Sequence, residues 1–343
     1  MKSRRMVLTG VTASLGMLFL ILDTEAALSG AREGITLCLK TVVPSLYPFF
    51  ILSVLLTGAL TGANIPFMAA LGRVCRIPKG AESLLLTGLL GGYPVGAQCI
   101  GQAYAAGQLN RGDARRMLGF CNNAGPAFIF GMIGSLFSAP AVPFVIWGIH
   151  IVSALLIGIL LPGGSYSEAT VPSPKPVGLP AAINRSIRIM AGVCGWVILF
   201  RVILAFLQRW FLWLLPSAGQ ILICGLLELS NGCAALGNLE NEALRFLYAC
   251  IFLGFGGICV GMQTVSVTGQ SGLDTGDFFL GKFLHACISA LLALLAGSLL
   301  FPTGGSGKLN LFLLIAPFTA AAVLFLLFKK RKKSSSLLQK NGV

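Results

Sequence analysis

The chain has 343 residues, 56% of them hydrophobic and only 10% charged, with a formal net charge of +14. Soluble domains carry about 25% charged residues, so this balance, with a mean hydropathy of +0.86, excludes an ordinary soluble fold. The basic residues sit in connecting segments and at both ends, with no aromatic-interleaved face, and report membrane orientation, not a nucleic-acid partner.

Crossing a bilayer core of about 30 Å takes roughly 20 apolar residues. Runs of that length predict an all-α polytopic membrane protein with spans near 6–28, 35–61, 114–137, 141–161, 188–215, 243–268, 280–301 and 309–328, or about eight transmembrane helices. The first follows the basic residues Lys2, Arg4 and Arg5. Small residues at Ala26 and Ala27 leave a cleaved signal peptide open, but the apolar part is long for one, and a retained helix is preferred.

With the N-terminus in the cytoplasm, the second helix returns before Arg73, Arg76 and Lys79. Residues 82–106 then enter and leave on the same side, because Arg111, Arg115 and Arg116 follow, so they read as a re-entrant helical hairpin. After two further crossings, a Pro-, Gly- and Ser-rich linker lies inside with Lys175, followed by Arg185 and Arg188. A second hairpin, about 217–238, dips in from outside, and the last crossings deliver Lys329 to Lys333 to the cytoplasm. That tail reads as a topological stop, with anionic lipid as a further ligand.

The halves read alike, each as helix, hairpin, helix, helix, with opposite orientation in the membrane. The expected units are an N-terminal transmembrane helix (1–34), a first repeat (35–162), a cytoplasmic linker (163–182), an inverted second repeat (183–302), and a C-terminal helix with its basic tail (303–343). Paired interruptions of this kind point to a binding site near the bilayer midplane.

The interruptions are Gly88-Leu-Leu-Gly-Gly-Tyr-Pro-Val-Gly-Ala-Gln98 and Gly225-Leu-Leu-Glu-Leu-Ser-Asn-Gly-Cys-Ala-Ala235. Gly91, Gly92, Pro94 and Gly96 supply a bend, and the bent backbone must be satisfied by protein or by a water-filled cavity. The same glycines also permit close helix packing. Each hairpin is followed by a helix with its own break, Phe120-Cys-Asn-Asn-Ala-Gly-Pro126 and Phe255-Gly-Gly-Ile-Cys-Val-Gly-Met-Gln263. Asn122 and Asn123 have donors and acceptors for a polar solute, or for holding the hairpin in place. The two readings are compatible.

Glu228 is the one carboxylate within either hairpin besides Glu82 at the mouth of the first. A charge near the bilayer centre costs about 2.5–3.5 kcal/mol on insertion scales. It reads as a ligand for a coupling cation, a proton relay or a solute acceptor beside Asn231 and Gln263; pairing with Arg201 is the alternative. Gln98 and Gln102 are its weaker counterparts, and Tyr93 stands at the first bend. Tyr47, between Pro44 and Pro48, reads as a packing aromatic, and His150 and His285 as satisfied packing histidines. The ten cysteines are scattered without ligand spacing. No hydrolase triad, phosphate loop or zinc-protease motif occurs, so neither catalysis, cofactor nor metal is expected.

Gly91-Gly-Tyr-Pro-Val-Gly-Ala97, Gly107-Gln-Leu109, the Phe120 to Pro126 break, and Phe255-Gly-Gly257 with Met262-Gln263 resemble the sporulation integral membrane proteins of the YlbJ type. These group with the nucleoside-recognition, or Gate-domain, membrane proteins, and the likeness runs over about 35–300. Gate domains are similar to the cores of concentrative nucleoside transporters and ferrous-iron transporters, which implies a hairpin-helix solute site. The hydroxyl- and carboxylate-rich signature those carriers place in the first hairpin is replaced here by Gly-Gly-Tyr-Pro. The resemblance implies a plasma-membrane protein associated with spore formation that moves or recognises a small polar solute, nucleoside-like or ionic. The alternative is a non-transporting scaffold, as a homo-oligomer or with sporulation membrane partners.

Overall fold

Every described element is helical, as an apolar chain with no water to satisfy its backbone requires. The computed structural model describes residues 2–60, 66–164 and 177–301. Most of the expected linker, the span expected at 309–328 and the tail Lys329 to Lys333 lie outside the described residues.

Helix α1 (Lys2–Leu22) ends where Asp23 caps α2 (Thr24–Leu37), its carboxylate accepting from Ala26 N at 3.2 Å. A single π-helical turn, Cys38–Val42, carries α2 into α3 (Val43–Leu60). The candidate span Thr24–Ala59 is therefore one continuous helical stretch that runs through position 34/35. Next come α4 (Pro66–Val74), α5 (Glu82–Leu90), α6 (Val95–Ala105), α7 (Arg111–Leu118) and α8 (Pro126–Phe128), which runs on through tighter and looser turns to Leu136. The rest are α9 (Val142–Leu160), α10 (Leu179–Trp210), α11 (Ser217–Leu227), α12 (Leu229–Ala235), α13 (Glu242–Phe255), α14 (Gly257–Gly269) and α15 (Gly276–Leu300).

Five stretches are long and apolar enough to cross a membrane: Thr24–Ala59, Val142–Leu160, Leu179–Trp210, Glu242–Gly269 and Gly276–Leu300. Shorter apolar helices are Met6–Leu22, Pro126–Leu136 and Ser217–Leu227. The span expected at 114–137 is not one helix. α7 stops at Leu118, and the chain resumes at Pro126 after an extended Gly125 (ψ 160°), because proline donates no hydrogen bond and starts a helix instead. Likewise α10 starts at Leu179, inside the expected linker.

Helix α2 lies against α10 through Gly30 and Gly34, whose Cβ positions would fall 2.9 Å from the α10 backbone at Val202 and Ile198. Small residues of this kind let membrane helices approach closely. Ion pairs knit the same seam: Arg201 with Glu33, and Arg209 with Asp23 at 3.2 Å and Glu25 at 2.9 Å. Helices α9, α13 and α15 form a second group, and α14 lies between α6, α10 and α11. The C-terminus of α9 is held by two guanidinium groups. Arg76 donates to the carbonyls of Ile159 and Leu161 at 2.6 and 3.0 Å, and the buried Arg116 to those of Leu161 and Gly158, matching positive charge to the negative end of the helix.

Candidate functional site

The segment expected as the first hairpin is a helix pair, α5 and α6, joined by a bend at Gly91 to Pro94. Gly88 and Gly96 face each other across it, and each lies against the Cys121 carbonyl, with Cβ positions that would fall 1.9 and 2.2 Å from that oxygen. Gly92 has φ +75° and packs on Gly125, and the Tyr93–Pro94 peptide is cis. The second pair, α11 and α12, repeats the arrangement. A Cβ on Gly232 would lie 2.1 Å from the Gly225 Cα, and Gly257 lies against Leu227 O and Leu229 N. Gly256, at φ +82°, separates α13 from α14. Each helix pair thus closes on the break in the helix that follows it.

Between these breaks lies a cavity of about 40 Å³ lined by Gly92, Tyr93, Gly125, Glu228, Ser230 and Gln263, among others. Through Gln263 and Val193 it adjoins a larger cavity of about 400 Å³, lined by Pro94, Gln98, Gln102, Arg185, Arg188 and Gln270, together with Trp196. Arg185 donates to the Gln98 and Gln102 side-chain oxygens at 3.3 and 3.0 Å, while its buried Nε has no partner.

Glu228 is 1% exposed and breaks α11 from α12 with an extended backbone. Its carboxylate accepts from Ser230 N at 3.1 Å, Asn231 N at 2.6 Å and the Asn231 side-chain amide at 2.7 Å. These donors offset part of the cost of burying the charge. Arg201 does not pair with it, being held by Glu33 and Gln208.

The expected site residues divide into groups. Gly92, Tyr93, Glu228 and Gln263 line the inner cavity, and Pro94 and Gln98 line the outer one, which Gln263 also borders. Gly96, Asn122, Asn123 and Asn231 line neither. Asn122, fully buried, accepts from Ala97 N of the first hairpin at 3.2 Å and donates to the Thr264 hydroxyl of α14 at 3.0 Å, so it holds the hairpin in place. Asn123 donates to Phe120 O at 2.7 Å. Tyr47 packs at the edge of an apolar cluster.

Sequence reasoning passed over Lys282. It is 1% exposed on α15 and donates to the Tyr93 hydroxyl at 3.1 Å and to the Asn123 side-chain oxygen at 3.0 Å. The readable signal was a lysine three residues before His285 on one face of an apolar helix. Arg185 was read as a topological charge only, yet it lines the outer cavity.

These features define an all-helical integral membrane protein whose buried polar groups gather where helices break. The chain is a distant homologue of the sporulation integral membrane protein YlbJ of Bacillus subtilis (strain 168), 24% identical over 319 residues, covering 79% of this chain and 78% of that protein. No family model matches the chain, and no solved structure does.

Proposed function

We propose that this protein is a multi-pass plasma-membrane transporter of a small polar solute, built from two inverted repeats, each with a re-entrant hairpin closing on a broken helix. In this reading both termini are cytoplasmic, α1 and the segment at 309–328 complete about eight crossings, and the homology to YlbJ suggests a role in spore formation. The observation that carries the proposal is the meeting of both bends, Gly92–Tyr93 and Glu228–Ser230, with Gln263 around one cavity that adjoins a larger one lined by Arg185 and Arg188. Breaks of this kind are tolerated at membrane depth where they line a cavity.

The outer cavity favours a solute rich in acceptor atoms. Arg185 and Arg188 line it beside three glutamine amides and Gln263, without a carboxylate among its lining residues. Its volume of about 400 Å³ lies in the usual range for small-molecule sites, about 300–1,000 Å³. The test is the melting temperature of the purified full chain against carboxylates, nucleosides, nucleobases and divalent cations, for wild type and Arg185→Gln. An anionic solute should raise the wild-type melting temperature and raise that of the variant less. Stabilisation by nucleosides or cations alone, equal in both proteins, would refute the anionic assignment.

The second reading is a membrane scaffold, in which the apolar face of helix α1, with Met6 74% and Ile21 73% exposed, meets a partner helix in place of lipid. Silence across the solute panel, with loss of cellular function on deleting residues 2–22, would support it.

A further inference from the structure

Lys282 is buried with no carboxylate partner among the described residues. A lysine ammonium has three N–H donors and no acceptor, and three acceptors surround this one: the Tyr93 hydroxyl at 3.1 Å, Asn123 Oδ1 at 3.0 Å and His285 Nδ1 at 3.4 Å. Gly281 brings it there, since a Cβ on that residue would lie 2.4 Å from the Gly119 carbonyl. The groups facing Lys282 are Tyr93 from the first hairpin, Cys121 and Asn123 from the segment after α7, His285 from α15 and, behind it, His150 from α9. All are neutral hydrogen-bonding or thiol groups, so no counter-ion holds the charge in place.

The bonding fixes the tautomers. His150 Nε2 accepts from Ala124 N at 3.1 Å, so a neutral His150 carries its proton on the buried, unpartnered Nδ1. His285 Nε2 lies 3.1 Å from the His150 carbonyl and must be the donor there, which leaves Nδ1 as a lone pair aimed at Lys282. The two rings stack at 4.6 Å.

The Tyr93 hydroxyl donates to the Leu253 carbonyl of α13 at 3.2 Å while accepting from Lys282. When the ammonium gives up a proton, its nitrogen gains a lone pair and becomes an acceptor. Tyr93 can then turn its hydroxyl proton from Leu253 to Lys282, releasing the first hairpin from the broken helix of the other half. The departing proton goes to His285 Nδ1, forming a transient imidazolium whose Nε2–H stays bonded to His150.

We propose that Lys282 is the proton-binding site that couples solute movement to proton movement, with Tyr93 as the hydroxyl that reads its charge and His285 as its proton outlet. The proposal rests on the transport reading above and assigns the coupling ion of that same site.

The experiment is the melting temperature of the full chain in detergent from about pH 5 to pH 10, bracketing the ordinary values of histidine and lysine, for wild type, Lys282→Met, Lys282→Arg and Tyr93→Phe. The wild-type curve should contain an inflection that Lys282→Met lacks and Tyr93→Phe displaces. Should Lys282→Met fail to fold, Lys282→Arg, which stays charged throughout, should lack the inflection too. An inflection unchanged in the Lys282 variants overturns the proposal. The solute panel run at each pH separates the two failures. A bound solute without a Lys282-dependent inflection refutes the coupling and leaves transport standing. A Lys282-dependent inflection with no solute across the panel overturns the coupling together with the transport reading.

Discussion

A methyl group on Gly232 would fall 2.1 Å from the Cα of Gly225, closer than two carbons can approach. The first hairpin carries the same relationship, where a methyl on Gly96 would lie 3.1 Å from the Gly88 Cα and 2.2 Å from the Cys121 oxygen. In both places the obstacle is backbone, which cannot rotate away as a side chain can.

Gly88→Ala and Gly232→Ala should therefore each remove most folded protein or lower its stability by at least the overpacking cost of about 1–3 kcal/mol. Gly148→Ala, where nothing lies within 4 Å of the added carbon, should be neutral or stabilising by up to about 1 kcal/mol. Thermal melts of the three variants in one detergent check the contrast.

Glu228→Gln should do two things. Its oxygen can keep one or two of the bonds from Ser230 and Asn231, but its amide would face the remaining N–H donor. A stability loss of about 1 kcal/mol is expected for weakening this cap, with a larger loss in Glu228→Ala. Solute uptake that falls further than the folded fraction would isolate a role at the cavity; uptake tracking the folded fraction would leave Glu228 a structural cap.

Asn122→Ala strands the buried Ala97 N–H and unties the first hairpin from α14. The expected loss is about 1–3 kcal/mol, with solute affinity per folded molecule unchanged. An affinity change without a stability change would place Asn122 in contact with solute instead.

Arg116 and Arg111 lie five positions apart and should behave oppositely. Arg116→Lys loses the fork that reaches the Leu161, Arg76 and Gly158 carbonyls and should lower the melting temperature by several degrees. Arg111→Ala breaks an exposed pair with Asp274 at 2.6 Å and should lower it only slightly at neutral pH. Partial burial raises the Asp274 carboxyl, but the Arg111 bond, Gly276 N–H and Arg115 outweigh it and hold the carboxyl below its ordinary value. What stability this gives is present above the ordinary aspartate range and disappears as the pH falls through it. An acid melt of Arg111→Ala against wild type should therefore converge only at low pH.

The bends and breaks were legible in the sequence because glycine, proline and asparagine act locally. Gly92 and Gly256 take positive φ, and the Asn122 to Pro126 run stops a helix. The long apolar stretches were legible by length. What failed was pairing across distance. Arg201 meets Glu33, 168 residues away, so its availability to Glu228 could not be read from their neighbouring helices. The stacking of His150 on His285 likewise joins two helices across 135 positions. The Asn122 to Pro126 break was visible, but its severity was not, since hydropathy runs smoothly across residues that the backbone leaves non-helical.

The bonds of the first hairpin also set an order of assembly. Tyr93 waits for Leu253, 160 residues downstream, and Asn123 for Lys282, 159 residues downstream. A chain made from its N-terminus at roughly 5–20 residues per second holds that helix pair for many seconds before its last partners leave the ribosome. The N-terminal half is therefore not a self-sufficient module, and truncations ending before residue 282 should be recognised and degraded as incomplete.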